Sequence, residues 1–362
     1  MSTKQHPTTI TQDASAADPG DPPAATNPTD ENADTASVRQ GVDTSDVVDE
    51  ADSAYGDDAA SSTASLATSI LNYRKIHGRT FHGDVGNAEY WGANDEGQNE
   101  SLDIIHHVLT LQLDGELCKA PIKNNIHKVL DVGTGTGLWA IDFGDKHPSA
   151  EVIGIDVSPI QPAWVPPNVR FEIDDVTQPW TFQPDTFDFI HIRWLFGSIK
   201  DWDALFAEAF RALKPGGWIE SHEASAQFQS DDGSVNENTA MGQFGKFFID
   251  GGLKMGRSMT VVEDGVQRSG IEKAGFVNVH EWDYKSPFGA WPEGAREREI
   301  GMFQHLATSR DVDGSMLYMG TLLGWKPEEV QVFAAKLRRE FRSKEMKAYY
   351  MQKIVWAQKP LG

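Results

Sequence analysis

Lys128-Val129-Leu130-Asp131-Val132-Gly133-Thr134-Gly135-Thr136-Gly137-Leu138 is the stretch whose reading decides the fold. Lys128 to Val132 read as a short apolar strand. Gly133, Gly135 and Gly137 then form a turn tight enough that only glycine lets a ligand approach the backbone closely. A helix is expected from about Leu138. Strand, glycine turn and helix N-terminus together make the nucleotide site of a doubly wound α/β fold, with the ligand beyond the carboxyl end of the first strand.

The flanking residues say which nucleotide. A dinucleotide fingerprint wants its third glycine one place later, where this chain has Leu138, and it offers helix N–H groups to a pyrophosphate. Asp131 stands two residues before the first glycine, where its charge repels phosphate and attracts a cation. S-adenosylmethionine fits that arrangement, since it has no phosphate and carries a sulfonium and an ammonium against one carboxylate. A second acid agrees: Val152-Ile153-Gly154-Ile155-Asp156 reads as a buried strand ending in a carboxylate 23 residues after Gly133. A ribose diol is held at about that distance, the usual gap being roughly 20 residues. Thr134 in the turn and Val157 after the acid complete this part of the expected cofactor site.

Composition divides the chain. Of its 362 residues and net charge of −22, residues 1–66 hold 13 Asp and Glu against Lys4 and Arg39, a net −11. Ala, Ser, Thr, Asp and Pro dominate there, too few large apolar groups to offset the entropy of ordering, so a disordered acidic tail is expected. It has neither the apolar core of a secretory signal nor the arginines of a transit peptide. Residues 67–362 are expected to form one domain: a cover segment over 67–127, a cofactor-binding core over 128–225 and a helical insertion over 286–342. Their negative charge argues against direct nucleic-acid binding and against attraction to anionic membrane. No apolar run is long enough for a membrane span. Cys118 is the only cysteine, which excludes internal disulfides and fits a reducing, intracellular location.

In the cover segment, Asn94-Asp95 can cap a helix reaching about Leu113, with Leu102, Ile105, His106, Leu109 and Leu113 at helical spacing. The pair His106-His107 suggests a metal only at first sight. Adjacent helical residues point about 100° apart, so one ion would need partners that the spacing does not supply, and no metal is expected.

Tyr-x-x-x-Asn-Asp-x-x-x-x-x-x-Leu-Asp-x-x-His-His over 90–107, then Leu113-Asp114-Gly115, Ala120-Pro121-Ile122, the run Val129 to Asp142, Gly154-Ile155-Asp156-Val157-Ser158-Pro159-Ile160-Gln161-Pro162, Trp164-Val165-Pro166-Pro167-Asn168 and Phe171-Glu172-Ile173-Asp174-Asp175 closely resemble the fungal LaeA-like, or TAM-domain, methyltransferases. The resemblance covers almost everything after the tail. It implies a Rossmann-like class I methyltransferase fold, α/β, with a seven-stranded mostly parallel sheet flanked by helices. Two places depart from the family pattern: Ala93 stands where a proline is usual, and Ser101 where an arginine is usual. Both lie in the cover segment, on the side expected to meet substrate.

Asn168 to Ile173 read as the next strand, with Asp174-Asp175 at its carboxyl end. A carboxylate there can accept from the exocyclic amine of adenine while Val176 packs on the ring. Asp175 is the better candidate, and the resemblance implies the same contact. A solvated turn is the competing reading. Phe187 to Arg193 read as the fourth strand, opening over the methionine end of the cofactor. Arg193 is read as a ligand of the cofactor carboxylate, a substrate-orienting group or a surface arginine, with the three left open.

Ser198 to Leu213 have the spacing of an amphipathic helix, and Trp218 to Ser221 begin a fifth strand. His222 follows at the carboxyl end of that strand and is the one candidate general base, against a structural histidine. Methyl transfer from a sulfonium needs no base in principle, so the catalytic residue stays unknown. Helices are further expected over 260–274, 293–309 and 326–342, and antiparallel strands over 276–285 and 349–359. A substrate pocket lined by Trp282, Trp291, Met302 or Phe303 is weighed against simple core packing.

Two functions compete. One is transfer of a methyl group to a small-molecule acceptor in fungal secondary metabolism. The other, implied by the resemblance, is a regulatory methyltransferase-like subunit in the nucleus with a velvet-type partner, controlling secondary-metabolite genes and development. The protein is accordingly expected in cytoplasm, nucleus or both.

Overall fold

The structure, a computed structural model, describes residues 73–83 and 90–362. The tail expected over 1–66 lies outside the described residues. The first described strands, β1 (Arg74–Ile76) and β2 (Arg79–Phe81), form an antiparallel hairpin. Its two-residue turn holds His77 and Gly78 at φ of 48° and 82°, the backbone that lets two twisted strands meet without splaying. Helix α1 (Glu96–Gln112) follows, capped by the Asp95 side chain on the Gln98 N–H. Arg79 bridges the Asp95 carboxylate to that of Asp311, fastening the hairpin to two distant parts of the chain.

The core alternates strand and helix: β3 (Lys128–Val132), α2 (Leu138–Lys146), β4 (Glu151–Asp156), β5 (Val169–Ile173), β6 (Phe187–Arg193), α3 (Trp202–Ala212) and β7 (Leu213–Ala224). Then come α4 (Ala240–Met255), α5 (Val266–Ala274), β8 (Val277–Pro287), the helical insertion α6 (Ala295–Arg310), α7 (Val312–Leu323) and α8 (Pro327–Phe341), and finally β9 (Tyr349–Gln358). The seven strands β3 to β9 pair in the order β5-β4-β3-β6-β7-β9-β8. Neighbours from β5 to β7 are parallel, and β9 runs against both β7 and β8. The order reverses between β3 and β6, which opens a crevice at their carboxyl ends.

Apolar faces explain the layers. Leu130, Val132, Ile153, Ile155, Ile190 and Ile192 pack on the side of α3 and α5, whereas Val129, Val152, Val169 and Phe189 pack on the side of α2 with Trp139 and Phe143. A sheet covered on both faces must be apolar on both, so the central strands read as continuous hydrophobic runs.

Several expectations shift. Helix α3 starts at Trp202 instead of Ser198, because Asp201 caps it through the Ala204 N–H. The helix expected over 260–274 is only Val266–Ala274, after Gly265 at a φ of 63°. Strand β9 pairs with β8 as expected and also with β7. Hairpin β1–β2 and helix α7 were not anticipated. In α7 Val312, Met316, Tyr318 and Met319 are buried along with Gly314 and Gly320, leaving little amphipathic contrast to read.

Two acidic side chains on β7 each gather the amides of a loop. Glu220 accepts from the N–H groups of Lys119 and Ala120, both at 2.7 Å. Glu223 accepts from Leu195 at 3.2 Å and Phe196 at 2.9 Å. Trp194, just before them, donates its N–H to the His222 carbonyl at 3.0 Å and sits at a φ of 59°. That is a strained backbone for a bulky residue, tolerated only where its surroundings over-determine it.

Two outcomes follow. Gly137 has a φ of +83°, and a Cβ there would lie 2.3 Å from the Phe171 ring. Gly137→Ala should cost about 1–3 kcal/mol by urea unfolding, more than Gly256→Ala, whose left-handed glycine has open space around it. Burial raises the Glu223 carboxyl to about 8, above its unfolded value of about 4.3. The folded chain therefore binds that proton more tightly, and stability declines as pH rises from about 4.3 through about 8. Glu223→Gln, neutral throughout, should flatten this slope in unfolding measurements across the same range.

Candidate functional site

Of the five amides in the glycine turn after β3, Gly133 to Gly137, four are spent within the protein. The N–H groups of Gly133 and Thr134 both donate to the Ile155 carbonyl at 2.9 Å. That of Gly135 donates to Asp156 Oδ2 at 2.9 Å, and that of Gly137 to the Thr134 carbonyl at 2.9 Å. A phosphate site needs such groups free and pointing outward. Those four amides are not available to one.

A cleft of about 1090 Å³ opens above the turn. Of the residues nominated from sequence, Gly133, Thr134, Gly135, Asp156, Val157, Asp174, Asp175, Val176 and Arg193 line it. Asp156 accepts from the Ser158 N–H through Oδ1 and from Gly135 through Oδ2, and burial raises its carboxyl to about 6. Asp175 commits one oxygen to the Thr177 N–H and hydroxyl, at 2.9 and 2.6 Å, in a short turn. Asp174 accepts from the Asp175 N–H. Both acids sit on the wall, as the end of β5 required.

Three nominated residues stand elsewhere. Asp131 lies one layer beneath the cleft instead of on its wall, accepting from the Thr134 hydroxyl at 2.6 Å and from His191 Nδ1 at 2.8 Å. Burial lowers the His191 pKa to about 4, so a neutral imidazole donates this bond while stacking on Trp139. Gly137 is set back against Phe171. His222 is the clearest correction: it lines neither this cleft nor the neighbouring cavity. Its Nε2 bonds Gln352 Oε1 at 2.6 Å, and burial lowers its pKa to about 3. It shares a sheet face with its register partner Arg193, and Gln352 from β9 takes up its ring nitrogen there.

Residues not nominated complete the wall. Arg193 Nη2 donates to His106 Nδ1 at 3.1 Å, and His106 Nε2 donates to Asp142 at 2.8 Å. Both ring nitrogens are thus occupied, and burial lowers the His106 pKa. His107 instead packs edge-on against Phe303. Tyr90, Asn94, Trp194 and Ser198 also line the cleft. Both polar atoms of the Asn94 amide, the Trp194 indole nitrogen and the Ser198 hydroxyl are buried without a hydrogen-bond partner. Buried polar atoms left this way are costly, and a polar ligand in the cleft would satisfy them. Signals for Asn94 were present in the quoted family motif. Trp194 follows the strand expected to open over the methionine end of the cofactor, and Ser198 carried no signal.

A second cavity, about 1010 Å³, adjoins the first and shares Tyr90, Leu102, Ile105 and Trp194 with it. Its wall is aromatic, with Trp91, Phe196, Phe228, Phe244, Phe248 and Tyr350. Trp282, Trp291, Met302 and Phe303, weighed as a pocket lining against core packing, take no part in it. The last three border a separate surface groove, and Trp282 stacks on Tyr284 under Lys119. The two departures from the family pattern both reach a wall: Ala93 on the first cavity and Ser101 on the second. Among the described residues no cluster of His, Cys, Asp and Glu could hold a metal ion, and no helix is long and apolar enough to cross a membrane.

Residues 98–258 match a family model described as a methyltransferase domain. Similar proteins include methyltransferase pytC of Aspergillus terreus, 37% identical over 84% of this chain and 93% of that one. The secondary metabolism regulator LAE1 of Cochliobolus heterostrophus is 30% identical over 80% of this chain and 95% of its own length. Protein-methionine methyltransferase laeA of Emericella nidulans is 31% identical over 80% and 77%. The cofactor of such a domain is S-adenosylmethionine. With its crevice at the strand-order reversal, its glycine turn and relatives of this extent, the chain belongs to the LaeA-like methyltransferases.

Proposed function

We propose that the first cleft holds S-adenosylmethionine and the aromatic cavity beside it holds a small-molecule methyl acceptor, in secondary metabolism. The observation that carries this reading is the glycine turn with four of its five amides spent internally, beneath a wall of carboxylates, on a cleft that meets a second, apolar cavity across Tyr90 and Trp194. When bound, the cofactor supplies an electrophilic sulfonium methyl, and a neutral thioether departs. Asp156, with lone pairs beyond those given to Gly135 and Ser158, would hold the ribose hydroxyls. Asp174 and Asp175 would meet the adenine amine, with Val157 and Val176 on the ring. Asn94, Arg193 and Ser198 would serve the amino-acid end. Asp131 acts from below, fixing Thr134 and contributing negative potential without direct contact.

The walls supply alignment more than proton transfer. His106 is neutral and engaged at both nitrogens, and Asp311, the carboxylate on the second wall, is bound by Arg79. Holding the acceptor in line, and keeping water out with aromatic rings, are the contributions this arrangement can make.

Regulation is the second reading, favoured by relatives that are named as secondary metabolism regulators. A nuclear complex with a velvet-type protein would use exposed apolar surface, and Met302 and Leu306 at the surface groove are 55% and 47% exposed.

Calorimetry with S-adenosylmethionine and S-adenosylhomocysteine should show binding by the wild type. Asp156→Ala, its fold verified by thermal unfolding, should lose about 1.5–3 kcal/mol, the range for a hydrogen bond to a charged group. Undiminished affinity would remove Asp156 from the site. Recovery of a methylated metabolite with purified protein supports the enzyme reading. Capture of a velvet-type protein, abolished by Met302→Asp with Leu306→Asp, supports the regulatory one.

A further inference from the structure

We infer that the aromatic cavity selects a neutral, conjugated acceptor by one carbonyl-type oxygen docked on the side-chain amide of Gln304; this rests on the reading of that cavity as the acceptor chamber. Gln304 projects from α6, is 3% exposed and lies on the cavity wall. Its carbonyl oxygen is already taken, because the Tyr350 hydroxyl donates to it at 2.6 Å. What remains is the NH₂ group, whose protein partner is the Thr308 hydroxyl at 3.4 Å, the limit of a useful bond.

The direction of this arrangement is set deep in the sheet. His222 Nε2 donates to Gln352 Oε1 at 2.6 Å, and Gln352 Nε2 donates to the Tyr350 oxygen at 3.1 Å. A second branch starts at Gln112, whose Nε2 donates to the Ser286 hydroxyl at 2.8 Å, and Ser286 in turn bonds Tyr350. Both branches feed hydrogens towards the Tyr350 oxygen, so its own hydrogen has one way to go, to Gln304. A buried chain polarised in one sense ends by presenting a donor. The candidate base of the sequence reading thus becomes the far end of a recognition chain.

The remainder of the wall excludes charge. Aromatic rings dominate, and the carboxylate of Asp311 is neutralised by Arg79. An ionic ligand would be desolvated there with no free counter-charge. A planar neutral molecule would instead meet ring faces and edges.

The probes are 6-propionyl-2-dimethylaminonaphthalene, which carries a ketone, and 2-dimethylaminonaphthalene, which lacks it, titrated into the full chain by fluorescence. The ketone probe should bind wild type about tenfold more tightly and show the red-shifted emission of a hydrogen-bonded carbonyl. Gln304→Met, similar in shape but without the donor, should erase that tenfold advantage and leave the carbonyl-free probe unchanged. Tyr350→Phe, which releases the Gln304 carbonyl, gives an independent check and should reduce the advantage severalfold. If both naphthalenes bind wild type and the variants equally, the Gln304 subsite is overturned while the chamber stands. If 2-naphthol, a donor, gains the Gln304-dependent advantage instead, the polarity is reversed and the proposal fails. If neither naphthalene binds, the acceptor-chamber reading itself fails.

Discussion

Where two parallel strands end side by side, the sheet leaves backbone amides without partners, and the next few residues decide what those amides will bind. Here β4 takes them. The Ile155 carbonyl and the Asp156 carboxylate accept every amide hydrogen from Gly133 to Gly135, so the turn is closed by the neighbouring strand instead of by a ligand anion. This bonding leaves those three amides unavailable to a phosphate. Burial, with Asp131 nearby, raises the Asp156 pKa in spite of the backbone N–H bonds from Ser158, Gly135 and Val157.

The opposite wall is built by tension between a carboxylate and a strained backbone. Glu223 gathers the amides of Leu195 and Phe196, and the His222 carbonyl takes that of Trp194. The cost is a tryptophan in the left-handed region, with an indole nitrogen lacking a partner. The return is a ring standing between the two cavities, where it borders both. Strain kept at such a junction points to function. The Arg79 clasp acts similarly on the outer side, tying the cap of α1 to that of α7, whose Asp311 lines the second cavity.

Two of the polar side-chain networks end on the cavity walls, each on its own cavity. Asp142, His106 and Arg193 reach the cofactor cleft, while His222, Gln352, Tyr350 and Gln304 reach the aromatic cavity. Each is satisfied along its length and opens at one end onto a wall. Buried networks of this kind rigidify what they touch. Each cavity therefore has a polar support of its own.

The sequence by itself determined the doubly wound sheet and the cofactor side of the site, because both are written in local spacing: a strand, three alternating glycines and acids at strand ends. The fold class, the succession of the core strands along the chain and the wall positions of Asp156, Asp174 and Asp175 were legible for that reason. The aromatic cavity was not legible. Its wall is assembled from the cover segment, the turn after β6, α4, the insertion and β9, and apolar residues so scattered look the same whether they fill a core or frame a void. The place of Asp131 and the fate of His222 were likewise decided only in three dimensions. Which neighbour a side chain meets across a sheet depends on strand order, and β9, 130 residues after His222, supplies the group that turns that histidine inward.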